Sequence, residues 1–389
     1  MSKINLKSLS KDKMKEFVKA QGLPAYRAKQ MLHWIYEKKA ASIDQITELS
    51  KEAREKLSDS DYISNLELLS RQTSKDGTEK FLFGLEDRES IESVLIPDKD
   101  RLTLCISSQV GCAMGCSFCL TGKIGFKRNL KAHEIVDQII AVSRLISENH
   151  HPIPPLPRGG ERGVTNIVFM GMGEPLLNLD EVIEALKRIT GLMGISKKRI
   201  TLSTCGIAPK IAELYKKAPH VHPVRKLDRN FKPHHSNVFF TPSKVQGFLS
   251  NGVNLAISLN AADNKTRDII MPINKKYPLE TLLASCRKIP FSPRTRITFE
   301  YVMLDGVNDK PSDAQNLVRI LRGIPSKVNL IPFNPYEGSK LKRPSDEKVF
   351  VFQKILTNAG MNAFIRKSKG QDILAACGQL KAGYGAKFK

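Results

Sequence analysis

The chain has 389 residues, 41% of them hydrophobic, and a formal net charge of +23. No run of about 18 apolar residues exists to span a bilayer, and the start, Met-Ser-Lys-Ile-Asn-Leu-Lys with acids by Asp12 and Glu16, lacks the apolar core of a secretory signal, so a cytoplasmic protein without a membrane partner is expected. The cationic excess points to a polyanionic partner, whose phosphates shed counterions when lysine and arginine bind, with a solubilising surface as the alternative; seven cysteines, an odd number with one close-spaced group, exclude a disulfide framework and fit a reducing compartment.

The first 60 or so residues read as helices. Ser10 caps one that runs to about Ala20; Pro24 starts a second, with Met31, Leu32, Ile35 and Tyr36 at helical spacing; Ser42 to Leu57 forms a third. Lys11, Lys13, Lys15, Lys19, Arg27, Lys29, Lys38 and Lys39 stud these helices, as an RNA-touching face or as a solvated one. From Lys80 the period changes. Lys80–Leu85, Ser90–Ile96 and Arg101–Ser107 read as short strands, and strands then alternate with helices. The helix Lys131–Glu148 carries Ile135, Ile139, Val142 and Ile146 on one face; the strand Val164–Met170 leads to the helix Asp180–Thr190. Further strands fall at Arg199–Ser203, Val253–Leu259, Arg296–Met303 and Lys327–Pro332, and further helices at Pro278–Lys288, Ser312–Arg322 and Ser345–Ala359.

Repeated βα units with buried strands predict a parallel sheet or barrel. About six units are too few to close eight strands. The expected fold is therefore α/β, a partial (open) βα barrel over residues 66–389, preceded by a small N-terminal helical domain, residues 1–65, that contacts RNA. Two stretches interrupt it. Residues 151–163 are rich in proline and glycine and read as a surface linker. Residues 218–252 are basic, contain His220, His222, His234 and His235, and read as an exposed insertion rather than a metal site; an insertion there is able to impair the protein if it displaces the neighbouring strand.

The stretch Cys112-Ala-Met-Gly-Cys-Ser-Phe-Cys119 carries three cysteines at spacing C-x3-C-x2-C. Three thiolates in one loop hold three irons of a four-iron cluster and leave the fourth open to a ligand; the same residues also suit a zinc site one ligand short. Gly111, Gly115 and Phe118 fit a tight, partly apolar wrap. In a βα barrel the reacting groups sit at the C-terminal ends of strands, and several polar residues fall there: Gly173 and Glu174 in Gly171-Met-Gly-Glu-Pro175, Ser203, Ser258-Leu259-Asn260, and Asn334. Taken singly each is a cap or turn residue; their joint placement outlines a pocket.

The cysteine spacing is that of radical S-adenosylmethionine (SAM) enzymes. The flanks Cys105-Ile-Ser-Ser-Gln-Val-Gly-Cys112 and Gly122-Lys-Ile-Gly-Phe-Lys-Arg-Asn129, with Ala375-Ala-Cys-Gly-Gln-Leu380, resemble the RlmN/Cfr family of ribosomal RNA adenosine methyltransferases. The resemblance runs from the N-terminal helices to Leu380. It implies one [4Fe-4S] cluster on Cys112, Cys116 and Cys119, and SAM held by Gly173, Glu174, Ser203, Ser258, Leu259, Asn260 and Asn334. The family often has histidine where this chain has Asn260, a residue that still donates and accepts but does not titrate near neutral pH.

The resemblance further implies two SAM molecules per turnover. One methylates Cys377; the second, split by an electron from the cluster, yields a radical that takes hydrogen from that methyl, and the methylene adds to adenine. Glu92 or Cys105 removes the proton, and attack by Cys105 on Cys377 releases product through a transient disulfide. The implied substrates are an adenosine of the peptidyl-transferase centre of 23S rRNA, methylated at C2, and an adenosine beside the anticodon of some tRNAs. A monomer served by an external electron donor such as a flavodoxin is expected. Methylation at C8 of the same ribosomal adenosine is the alternative within the family. A non-enzymatic RNA-binding protein with a structural metal, and an electron carrier, are the alternatives outside it; a carrier would call for a fourth thiolate near the loop.

Overall fold

The computed structural model describes residues 3–148, 163–217, 252–289 and 295–381. Near the N-terminus, β1 (Ile4–Asn5) pairs in parallel with β2 (Asp61–Tyr62), and three helices lie between them: α1 (Lys11–Ala20), α2 (Arg27–Tyr36) and α3 (Lys51–Ser60). Ser10 caps α1, its side chain accepting from the Lys13 amide, and the apolar stripe Met14, Phe17 and Val18 is buried. The helix expected over Ser42–Leu57 is two pieces, a 3-10 turn at Ile43–Gln45 and then α3. Ser50 accepts from the Ala53 amide and restarts the chain as a helix, the start signal that divides the stretch.

Ten strands then form one sheet. In chain order they are β3 (Glu67–Thr73), β4 (Glu79–Gly84), β5 (Ser90–Asp98) and β6 (Arg101–Cys105); after the hairpin β7 (Gln109–Gly111) and β8 (Phe126–Asn129), which encloses α4 (Leu120–Ile124), come α5 (Ala132–Glu148) and β9 (Asn166–Phe169). There follow α6 (Leu179–Gly191), β10 (Ile200–Thr204), α7 (Ala208–Lys217), β11 (Asn254–Ser258), α8 (Asn264–Ile270), α9 (Leu279–Arg287), β12 (Ile297–Met303), α10 (Pro311–Leu321), β13 (Ser326–Pro332), α11 (Asp346–Asn358) and β14 (Asn362–Ile365). The spatial order is β14-β13-β12-β11-β10-β9-β6-β5-β4-β3. From β6 to β14 every neighbouring pair is parallel; β5, β4 and β3 extend the sheet antiparallel.

Phe169, Ser203, Ser258, Glu300, Ile331 and Arg366, from β9 to the end of β14, line one cavity. Six strands laid flat span about 24 Å, so the sheet curls around its strand ends, and β14 and β3 remain its two edges among the described residues. This is the open βα barrel expected. Ile167, Leu202, Ile257, Phe299, Val328 and Leu330 fill its core, each fully buried. The segments 151–163 and 218–252, including the four histidines, fall outside the described residues except for Gly163 and Gly252. No described helix is long and apolar enough to cross a membrane.

Candidate active site

The cysteine loop grows out of the β7–β8 hairpin. Gly111 has φ +73°, and a Cβ there would lie 1.9 Å from the Gly125 carbonyl oxygen, so glycine alone allows the hairpin to close. The Cys112 amide then donates to Gly125 O (2.8 Å), the Ser117 amide to Ile270 O (3.0 Å) and the Cys119 amide to Cys116 O (3.1 Å). All three cysteines face one cavity, together with Gly173, Glu174, Ser203, Ser258 and Cys377. Burial pushes the Cys112 thiol up to about 12, and burial with repulsion from its two neighbours raises that of Cys116. Such thiols ionise only when a cation takes them.

The chain's last described segment brings Cys377 to the loop. The Leu120 amide donates to Gly378 O (2.7 Å) and Thr121 Oγ1 to Leu380 O (2.7 Å). The same segment is tied to the far edge of the sheet: Ser74 Oγ and the Lys75 amide donate to Asp372, and the Lys381 amide donates to Glu92 Oε2 (2.7 Å). On the other side Gln379 Nε2 donates to Pro335 O (2.8 Å). A strap running between the antiparallel edge and the end of β13 thus holds Cys377 over the strand ends. Cys377, Met170, Ile331 and Arg366 form the common wall between the inner cavity and an outer one of about 400 Å³ that also contains Cys105. Cys105, at the end of β6, is pushed up to about 12 by burial and then by Cys377. Both are free thiols, as are the other five.

The remaining expected residues are placed less uniformly. Glu174 is buried, which raises its pKa, and its carboxylate accepts from the Leu176 and Cys205 amides at 3.0 and 2.7 Å. Gly173 (φ +102°) lies so close to Gln109 that a Cβ would meet it at 2.5 Å, so glycine is required here by the protein's own packing as well as by a ligand. Leu259 and Asn260 do not line either cavity: Asn260 Oδ1 accepts from the Val302 amide (2.8 Å) and its Nδ2 faces Met271 Sδ. Asn334 lines the outer cavity, its Oδ1 accepting from Gln371 Nε2 (2.7 Å). Glu92 lines neither; one oxygen lies 3.4 Å from Lys80 Nζ and the other holds the Lys381 amide. In this structure Glu92 positions the strap.

Three residues go beyond those expected. Arg267, fully buried, donates to Cys205 O, Ser258 O and Leu259 O, so one guanidinium fixes the adjoining ends of β10 and β11. Arg366 lies where both cavities meet, its charge favoured by Cys377, Glu300 and Cys105. Glu300 lines the inner cavity; Asn329 donates to one of its oxygens (3.0 Å), and Oε2 is buried with no partner. A lone acid within the apolar run Ile297–Met303 was the signal for it.

Matches to known families bear on this geometry. Residues 4–63 match the ribosomal RNA large subunit methyltransferase N-terminal domain, and residues 106–228 the radical SAM superfamily. A curled βα sheet with a three-cysteine loop at its strand ends, matching that superfamily, defines a radical SAM enzyme. The dual-specificity RNA methyltransferase RlmN of Syntrophobacter fumaroxidans is 44% identical, over 99% of this chain and 100% of that protein; its counterpart in Geobacter sulfurreducens is 45% identical, over 97% and 92%. A radical SAM methyltransferase from Sphaerobacter thermophilus has a solved structure that superimposes with TM-score 0.81 at 37% identity, over 97% of this chain and 99% of that one. The chain belongs to the RlmN family of radical SAM RNA methyltransferases.

The family implies a [4Fe-4S] cluster and SAM, and the residues fit them. Among the described residues no three Cys, His, Asp or Glu side chains gather closely enough for a single metal ion. The three thiols nonetheless share one cavity, as the separate corners of a cluster would require. Beside them the orphaned Glu300 Oε2 offers an acceptor to a polar cofactor.

Proposed function

We propose that the enzyme methylates C2 of an adenosine in the peptidyl-transferase centre of 23S rRNA, and an adenosine beside the anticodon of some tRNAs, through a methyl group carried on Cys377. The observation that carries this reading is the position of Cys377 on the wall shared by the cysteine-lined cavity and the outer cavity containing Cys105. A carrier thiol has to meet a methyl source on one side and an RNA base on the other. The description of both relatives as dual-specificity RNA methyltransferases supports two RNA substrates.

In this reading Cys112, Cys116 and Cys119 hold one cluster, and Gly173, Glu174, Ser203 and Ser258 hold SAM, with the backbone of Leu259 and Asn260 beneath them and Asn334 at the outer side. When bound, the cluster and SAM supply the methyl group and the radical chemistry, with electrons from an external donor such as a flavodoxin. The protein's share is placement and exclusion of water. Cys377 carries the methyl and joins covalently to the base. Cys105, which lines the same outer cavity, attacks the Cys377 sulfur as a thiolate; the bond from that sulfur to the product carbon breaks, the carbon keeps the electron pair and takes up a proton, and the two sulfurs remain on the protein as a disulfide. Glu92, whose Oε1 holds only Lys80 at 3.4 Å, is the proton acceptor if it turns toward the outer cavity; Cys105 already lines that cavity but accepts a proton only as the thiolate, which its burial disfavours. The division into residues 1–65 and 66–389 follows the same reading, with the N-terminal helices as an accessory RNA contact.

The test is nucleoside mass spectrometry of rRNA and tRNA treated with the reconstituted enzyme. 2-Methyladenosine in both is the expected result; 8-methyladenosine without 2-methyladenosine overturns the assignment to C2. A colourless zinc protein without iron, purified anaerobically, overturns the reading altogether.

A further inference from the structure

We infer that the outer cavity is the port through which the target nucleotide enters, and that Lys367, Ser368 and Lys369, with Arg343 in the adjoining opening, hold RNA phosphates at its rim. This rests on the reading that the base is methylated at Cys377. The cavity has Cys105, Cys377 and Arg366 on its inner side and Lys367, Ser368 and Lys369 along its wall. A neighbouring opening of about 410 Å³ shares Asn334, Lys367 and Ser368 with it and adds Arg343. One short segment following β14 therefore walls both spaces.

The charge of this rim is one-sided. Arg343, Arg366, Lys367 and Lys369 face one acid, Asp98, among the residues lining the two spaces. Arg343 pairs with the exposed Asp346 at 3.1 Å; among the described residues Lys367 and Lys369 form no ion pair. Elsewhere on the surface lysines do find acids, as Lys127 finds Glu89 and Lys348 finds Asp305. Cations left unpaired around a concave space create a positive potential that draws an anion. Ser368 Oγ is shielded from solvent and has no hydrogen-bond partner. A buried hydroxyl in that state lacks an acceptor, which a phosphate oxygen supplies once the side chain turns toward the opening.

The segment is also fixed before any ligand arrives. The Arg366 amide donates to Leu330 O (2.8 Å) at its start, and the Gly370 amide donates to Asp76 (3.1 Å) at its end. Connectivity then selects the ligand. A base that reaches Cys377 meets the cysteine loop beyond it, because Leu120 is bonded to Gly378 there. Its ribose and flanking phosphates stay on the outer side, within one nucleotide of Cys377, where these cations stand. An unstacked nucleotide still joined to its chain carries phosphates on both sides of the base, which matches a rim with cations in two adjoining spaces.

The experiment uses the full chain, reconstituted anaerobically, and a fluorescent rRNA hairpin containing the target adenosine, with binding read by anisotropy between 50 and 200 mM salt. The Lys367→Gln/Lys369→Gln enzyme should bind about tenfold more weakly, and its slope of log K against log salt should fall by about 1.5, as for two lost phosphate contacts. Ser368→Ala, which removes no charge, should lose about fivefold with no change of slope. A Lys11→Gln/Lys19→Gln enzyme, altered on α1, should lose less than the Lys367/Lys369 pair. Wild-type affinity and slope in the Lys367/Lys369 variant, or a larger loss in the α1 variant, overturns the inference. So does competition by adenosine monophosphate as strong as by the hairpin, which would mark a mononucleotide site. If the Lys367/Lys369 variant loses its melting transition, Ser368→Ala decides, and wild-type affinity there overturns the inference. Wild-type enzyme that binds the hairpin with the expected slope but forms no methyladenosine refutes the proposed function and leaves the rim standing.

Discussion

Where the N-terminal helices meet the sheet, Lys7 and Asp137 pair out of solvent, and Lys7 Nζ also donates to Ser64 O at 2.6 Å. Arg188 donates to Lys7 O (2.6 Å), the Tyr36 hydroxyl (3.0 Å) and Glu184 (3.1 Å); Arg144 donates to Lys39 O, Ala40 O and Asn65. In the inner cavity, by contrast, Glu300 Oε2 is buried without a partner, and the Cys112 thiol is held neutral. Both regions remove polar groups from water, at similar cost. At the seam each charge is met by a group of the chain itself, so folding alone satisfies it. At the cavity the partner is missing, which is tolerable when a ligand supplies it. Between the Lys7–Asp137 pair and the Glu300 carboxylate, satisfaction rather than burial is the difference.

That distinction fails first, if it fails, at Cys377 and Asp137. Cys377→Ala should form no methyladenosine while its melting midpoint stays within about 2 °C of wild type, since a change outside the hydrogen-bonded framework costs below about 1 kcal/mol. Asp137→Asn should do the reverse. It leaves Lys7 buried and unpaired, a loss of about 3–5 kcal/mol in denaturant unfolding, while activity per folded molecule is retained. Lys7→Met with Asp137→Leu should recover most of that loss. A Cys377 variant that unfolds, or an Asp137 variant that is stable and inactive, would erase the contrast.

The two regions also differed in how far they could be read from the chain. The cysteine loop, Glu174 and Cys377 lie in contiguous motifs, and the strands β9 to β13 are apolar runs whose composition reports their burial. β3 is almost wholly exposed and β14 is a four-residue edge, so neither carries a buried pattern to detect. With β14 unseen, Arg366 at its end was unseen too. The seam was invisible for another reason: Lys7 and Asp137 are 130 positions apart, and nothing local marks either as buried. Glu92 and Asn260 are a third case: their residue types suit a site, and in this structure their side chains accept from the Lys381 and Val302 amides.

Acid should act on the seam. Burial lowers the His133 pKa to about 4 from its ordinary 6.5, opposed by Glu134 and reinforced by Arg188, Lys7 and Lys131. Between those values the unfolded chain binds a proton that the folded chain refuses, so stability is full above about pH 6.5 and is lost as pH falls toward 4. The loss is about 3 kcal/mol. His133→Gln should flatten this part of the stability–pH curve when wild type and variant are unfolded in urea at pH 7 and pH 4.5. An identical slope in both would mean that the imidazole is already satisfied by solvent.

The smallest expected effect is the most discriminating. Glu300 accepts from Asn329 through one oxygen, and burial raises its pKa against the pull of Arg366. Glu300→Gln can keep the first contact and place an amide donor where the orphaned oxygen was. Burying an amide costs less than burying a carboxylate, so a purely structural role predicts equal or better stability and unchanged SAM binding. An acceptor reserved for the cofactor predicts equal or better stability together with a tenfold weaker SAM affinity, about 1.4 kcal/mol, because a donor now faces a donor. Equilibrium dialysis of SAM against the cluster-loaded enzyme separates the two. If stability drops while SAM binds as before, Glu300 has a partner that folding supplies, and it belongs with Lys7 and Asp137 rather than with the cysteines.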